Sequence, residues 1–280
     1  MNGSGIDSLR WAFSPCPNDT FIFGALALGL LPSMGTITPR LEDIDALNAI
    51  ARQGGADVVK VSAAAYPALR DGYQVLPCGG AMGEGVGPLL VRRAGQGLDL
   101  TDTSVVAHPG AHTTAFALFR LFHPEVTQFR ELLFSDIEHA VQQGQVTHGL
   151  LIHEGRFTYQ KLNLFAEEDI GNRWGKEFNL PLPLGVILVK RTLPAEVKRT
   201  VHKAIERSIN YAWAHADEVM PYVTAHAQEM EPEVQRKHIN LYVNDYSKGI
   251  GEKGERALRT LWSAVELTNN QLGEDLFFRG

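Results

Sequence analysis

Two segments of this chain follow one plan. Residues 9–28 read LRWAFSPCPNDTFIFGALAL, and residues 103–122 read TSVVAHPGAHTTAFALFRLF. Each is a short apolar strand, a turn carrying proline, a polar cluster ending in threonine, and an aromatic-rich helix. The echo constrains the chain to two lobes of similar construction. The chain is expected to leave the first lobe near residue 92 and to return near 186. Residues 1–92 and 187–280 then form one lobe, and residues 93–186 the other. A double crossover of this kind places a hinge between the lobes and a cleft across it.

The rest of the pattern fits. TITPRLEDI reads as a strand region. DIDALNAIARQGGA has Ile44, Leu47, Ile50 and Ala51 at helical spacing and stops at Gly54-Gly55. DVVKVS, 57–62, is a buried strand, and AAAYPALRDG a helix opened by Ser62. YQVLPCGGAMGEGVGPLLVRR reads as a glycine-rich loop followed by a strand over 88–91. In the second block TSVVAH, TQFRELLFS, VTHGLLIHEGRFTY and LPLPLGVILVKR are strands, and DIEHAVQQGQ is a helix. Strand and helix in alternation argue for an α/β fold with mostly parallel strands. Beyond Pro194 the chain reads as helical. Val197, Val201, Ile205, Ile209 and Ala212 form one apolar stripe, and Thr260 to Leu272 gives a further helix.

Composition narrows the function. Of 280 residues, 44% are hydrophobic, enough for a packed core, and the formal net charge is −6. No basic stripe or Lys/Arg block occurs, so a nucleic-acid partner is not expected. The start, MNGSGIDSLRW, lacks a basic stretch leading into an apolar run, and the apolar run from Phe21 to Leu31 is too short to span a bilayer. A cytoplasmic chain with no membrane partner is the expectation. Cys16 and Cys78 read as a reduced thiol pair, with a meeting in space left open.

The loop SPCPNDT lies at the carboxyl end of a strand, where open α/β sheets bind ligands. Its prolines hold the chain extended, and Asn18, Asp19 or Thr20 caps the helix that follows. Ser62 opens a second helix at a strand end. Thr113 and Thr114 open a third. Three helix starts at one cleft would favour a carboxylate or a phosphate. Lys60 adds positive charge if it faces the cleft, although a lysine at a strand end commonly faces solvent.

Ten histidines are present. Most lie on polar helices or in loops and are expected to be solvated. His153 differs, because it follows the apolar run GLLI and opens the polar end HEGRF. A neutral imidazole at a cleft mouth can accept a proton near neutral pH. Glu154 points to the opposite face if the strand is regular, and Arg156 is expected to reach back to it. A metal is not expected: His108 and His112 lie in a loop, and no HExxH occurs. GxGxxG, P-loop and GxSxG patterns are absent, so nucleotide-binding and serine-hydrolase readings find no support.

SPCPNDTFIF at 14–23, DVVKVS at 57–62, GPLLV at 87–91, HTTA at 112–115 and LLIHEGRFTY at 150–159, in that order, resemble the 1,4-dihydroxy-6-naphthoate synthases of the futalosine route to menaquinone. The resemblance implies a two-lobed fold like that of type II periplasmic binding proteins. It implies a lyase that converts cyclic dehypoxanthinylfutalosine to 1,4-dihydroxy-6-naphthoate and releases dihydroxyacetone, without a cofactor. It carries the proton-accepting histidine to His153, and substrate contacts to Lys60, Val61, Ser62, Thr113 and Thr114. Asn18, Asp19 and Thr20 are added as candidates on physical grounds. A small carboxylate substrate is thus the expected partner. A solute-binding protein and the related chorismate dehydratase are the alternatives.

Overall fold

A computed structural model describes residues 5–95, 100–153, 155–228, 231–265 and 275–279. Its first half-lobe runs β1 (Trp11–Phe13), α1 (Pro17–Ala27), β2 (Arg40–Leu41), α2 (Ile44–Arg52), β3 (Val58–Ser62) and β4 (Tyr73–Gly83). The second lobe runs β5 (Leu89–Arg93), β6 (Val105–His108), α3 (Thr114–Phe122), β7 (Gln128–Glu131), α4 (Phe134–Gln142), β8 (His148–Leu151), α5 (Gly155–Thr158), β9 (Leu164–Asp169) and α6 (Ile170–Phe178). The chain returns through β10 (Leu182–Lys190). It closes with α7 (Ala195–Ala214), α8 (Ala216–His226), α9 (Pro232–Tyr242), α10 (Asp245–Lys248) and α11 (Gly251–Val265).

The strands form two five-stranded sheets, ordered β2-β1-β3-β10-β4 and β7-β6-β8-β5-β9. The internal echo is thus a property of the fold. In each sheet three parallel strands lead to one antiparallel strand that sits beside a crossover, β10 in the first and β5 in the second. Both outermost partners, β4 and β9, are antiparallel as well. The sheets are therefore mixed rather than mostly parallel, because each lobe receives a strand from a chain segment arriving from the other. The passages fall between β4 and β5 and between α6 and β10, a few residues before 92 and 187.

Local chemistry explains several departures from the sequence pattern. Pro17 takes the first position of α1, which suits its missing N–H, and Cys16 is the residue before it. Asn18, Asp19 and Thr20 therefore lie inside the first turn and none of them is the cap. Ser62 precedes a short 3₁₀ segment, Ala63–Leu69, that contains Pro67, rather than an α-helix. YQVLPCGGAMG is the long strand β4, not a loop: its small residues let β10 lie close, and a Cβ on Gly80 would come 2.8 Å from the Gly185 carbonyl oxygen. Thr113 does cap α3, accepting from Phe116 N–H. The sequence pattern did not mark β9 and α6.

The α7 stripe Val197, Val201, Ile205, Ile209 and Ala212 is buried, as its spacing predicts. Each of its valine and isoleucine side chains stabilises the lobe by about 1.5–3 kcal/mol. The expected helix from Thr260 appears as the end of α11, and its continuation past Val265 lies outside the described residues. One apolar cluster includes Val59 and Val61 of the first sheet, Leu90, Val106 and Leu150 of the second, and Trp262 of α11. It seats the lobes together beneath the cleft. Among the described residues, no helix is long and apolar enough to cross a membrane.

Candidate active site

A cavity of about 650 Å³, counting its open mouth, lies between the two sheets. Its lining comes from both lobes. Ser14, Asn18, Asp19, Lys60, Ser62 and His238 come from the first, and Thr113, Thr114 and His153 from the second.

Lys60 is buried, not solvated, and its Nζ lies 2.6 Å from Asp19 Oδ1. Asp19 also accepts from Asn18 Nδ2 at 2.7 Å, from Ser14 Oγ at 2.7 Å and from Ser14 N–H at 3.3 Å. Two carboxylate oxygens accepting four donors have no lone pair left for a substrate proton. Asp19 is therefore an anchor for Lys60 and Asn18. Gly185 makes room for this lysine, since a Cβ there would come 2.7 Å from Lys60 Cε.

His153 lies in the turn two residues past β8, with φ of 54°, in the left-handed region. That conformation costs a non-glycine residue on the order of 1–2 kcal/mol, and it turns the ring away from the direction a regular strand would give. The ring meets the first lobe there. Its Nδ1 lies 3.3 Å from Cys16 Sγ, and Phe134 packs edge-on at 4.8 Å between ring centres. Burial pushes its pKa down to about 4. The carboxylate of Asp19 opposes that shift, the Lys60 ammonium adds to it, and Asp43 opposes it weakly. The imidazole is thus neutral at neutral pH.

His238, on α9, was expected to be solvated and is buried in this cavity instead. Its Nε2 lies 3.0 Å from Asn18 Oδ1, and its ring lies 6.4 Å from that of His153 at an interplanar angle of 11°. Burial holds its pKa well below the usual histidine value, helped by His153 and Lys60. The α9 spacing carried the signal: Val234, Gln235, His238, Ile239 and Tyr242 share the buried face. Two further histidines are buried away from the cleft. His108 stacks on Phe116, and His148 meets Glu167.

Most candidate residues from the sequence meet here, and two do not. Val61 is fully buried, on the alternate face of β3, and packs in the core. The Thr20 hydroxyl turns back onto the Cys16 carbonyl, satisfying α1's own first turn. Neither side chain lines the cavity. The Thr114 hydroxyl is also committed. It accepts from Ala64 N–H at 3.1 Å and donates to the Leu184 carbonyl at 2.9 Å, joining the second lobe to the first. Ser62 Oγ accepts from Asn48 Nδ2 and keeps its own O–H. Arg156 pairs with Asp169 at 2.6 Å and caps the carbonyls of Gly85 and Gly87 on the crossover. Glu154, its expected partner, lies outside the described residues. Cys16 and Cys78 are both buried, and neither forms a disulfide among the described residues.

A sequence family described as menaquinone biosynthesis matches residues 9–266. The chain belongs to this family. A relative from Thermus thermophilus, named 1,4-dihydroxy-6-naphthoate synthase, is 44% identical over 261 residues, covering 93% of this chain and 95% of the relative. One from Streptomyces coelicolor with the same name is 42% identical over 260 residues, covering 91% and 92%. The crystal structure of an Archaeoglobus fulgidus protein superposes with a TM-score of 0.84 at 34% identity, covering 91% of this chain and 96% of that one. A Candida albicans protein described as having the generic periplasmic binding protein fold gives a TM-score of 0.63 at 14% identity, covering 96% and 99%. That last likeness carries the fold alone. This member of the menaquinone-biosynthesis family thus has the binding-protein-like architecture that its sequence resemblance implied.

Proposed function

We propose that the chain acts as a 1,4-dihydroxy-6-naphthoate synthase with His153 as its proton acceptor. It is a carbon–carbon lyase that converts cyclic dehypoxanthinylfutalosine to 1,4-dihydroxy-6-naphthoate and releases dihydroxyacetone. The observation that carries this reading is a neutral imidazole on the wall of a cavity lined from both lobes. The relatives' shared name supports the same reaction.

The residues divide the work as follows. His153 accepts a substrate hydroxyl proton through Nε2, its Nδ1 being covered by Cys16. Loss of that proton drives a retro-aldol-like cleavage, and the new aromatic ring makes it downhill. A placed base of this kind contributes about 10²- to 10⁴-fold. The substrate carboxylate is held by Lys60, which has three N–H donors and gives one to Asp19. The Ser62 hydroxyl and the first N–H groups of α3, at Thr114 and Ala115, complete the grip; such N–H groups have no partner within a helix. The two lobes, joined at the β4–β5 and α6–β10 passages, close over the substrate by hinge motion and exclude water.

The experiment is incubation of the purified protein with cyclic dehypoxanthinylfutalosine, watching for naphthoate absorbance. Binding without turnover would favour a solute-binding protein. Turnover of chorismate instead would favour the dehydratase.

A further inference from the structure

We propose that His238 is a second proton-transferring residue of the cleft, acting on the substrate beside His153. The inference rests on the reaction proposed above.

The hydrogen-bond polarity around His238 decides which ring nitrogen carries the proton. Asp19 Oδ1 can only accept from its neighbours, so Asn18 must turn Nδ2 toward it. That turns Asn18 Oδ1 toward His238, so His238 Nε2 must donate. In a neutral ring the basic lone pair is then on Nδ1. Lys60, by holding Asp19, fixes the far end of the chain. Lys60, Asp19 and Asn18 thus orient one imidazole and set its tautomer, as a carboxylate does for a catalytic histidine.

The setting suits proton transfer. His238 lines the same cavity as His153, its ring near-parallel at 6.4 Å, and reaches it from a helix of the other lobe. A histidine needed only for packing would not require a chain of three buried polar residues, Asn18, Asp19 and Lys60, beneath it. The reaction itself calls for two transfers. Opening the sugar ring moves a proton from a hydroxyl to the ring oxygen. Carbon–carbon cleavage removes a second hydroxyl proton as a carbonyl forms on the three-carbon fragment. The bonding electron pair passes to the ring system as an enolate, whose oxygen takes a proton. Each proton removed is returned, and no oxidant, reductant or water is consumed. His153 and His238 Nδ1 each accept one hydroxyl proton and hand it back to the oxygen that gains charge.

The test compares wild type, His153→Ala, His238→Gln and Asn18→Ala with the cyclic substrate. Glutamine keeps a donor for Asn18 but cannot carry a proton through the cycle. His238→Gln is expected to lower kcat about 100-fold, with KM within about threefold of wild type and a larger solvent deuterium isotope effect on kcat. Asn18→Ala, which unpins the tautomer, is expected to lower kcat about tenfold with KM little changed; it serves if His238→Gln does not fold. Equal kcat in wild type and either folded variant, or a loss confined to KM, overturns the proposal. A wild-type protein that forms no naphthoate overturns the reaction reading instead.

Discussion

Cys16 Sγ and His153 Nδ1 lie 3.3 Å apart, although 137 residues separate them in the chain. The thiol belongs to the turn before α1 and the imidazole to the turn after β8, in opposite lobes. The contact joins the two lobes, so the orientation of the His153 ring depends on how the lobes sit against each other.

Removal of the thiol tests that orientation. Cys16→Ala is expected to lower kcat about tenfold with KM little changed, the low end of the roughly 10- to 100-fold that partners aligning metal-bound histidines contribute. Steady-state kinetics at neutral pH provide the check, and an unchanged kcat would show that Phe134 and the left-handed backbone suffice to hold the ring.

The pH dependence follows from the neutral histidine. His153 must be unprotonated to accept a proton, and burial brings its pKa down to about 4. The kcat/KM profile is therefore expected to stay flat as pH falls past 6.5 and to drop only on approaching 4. An acid limb near 6.5 would mean that the acting base is not buried.

Stability has the matching sign. In the unfolded chain these rings protonate near 6.5, while folded His153 and His238 resist protonation. The His153 contribution is fully present above 6.5 and is lost as pH falls from 6.5 toward about 4, and that of His238 is lost in the same direction. Thermal melts across that window are expected to show a falling Tm, and His238→Gln is expected to flatten the slope.

The buried ion pair is expected to be costly to break from one side. Lys60 and Asp19 side chains are only 4% and 2% exposed. Lys60→Met leaves the Asp19 carboxylate without its cation, a change that costs about 3–5 kcal/mol in buried sites. Urea unfolding measures it. A loss below 1 kcal/mol would mean that water reaches the pair.

Much of this was legible in the sequence where local chemistry decides the outcome. The two-lobe echo, the Thr113 cap, the α7 stripe and the isolation of His153 at the end of GLLI all depend on neighbours in the chain. What escaped depends on neighbours in space. His238 shares the buried spacing of α9, but Lys237 and Arg236 beside it give the stretch a polar look, and its partner Asn18 lies 220 residues earlier. Lys60 looked exposed because its partner, Asp19, lies 41 residues earlier. The Thr114 hydroxyl looked free for a ligand until the partners Ala64 and Leu184 appeared across the lobe boundary. The mixed sheets were missed because strand direction at a crossover depends on the returning chain, which carries no local mark.

The central claim is that His153 accepts the proton that starts carbon–carbon cleavage. Its direct measure is naphthoate formation from cyclic dehypoxanthinylfutalosine by wild type and His153→Ala, alongside calorimetric binding of the same substrate. The account predicts product from wild type, a fall in kcat of at least about 100-fold in the variant, and a Kd within about threefold of wild type. Product at the wild-type rate from His153→Ala would contradict it.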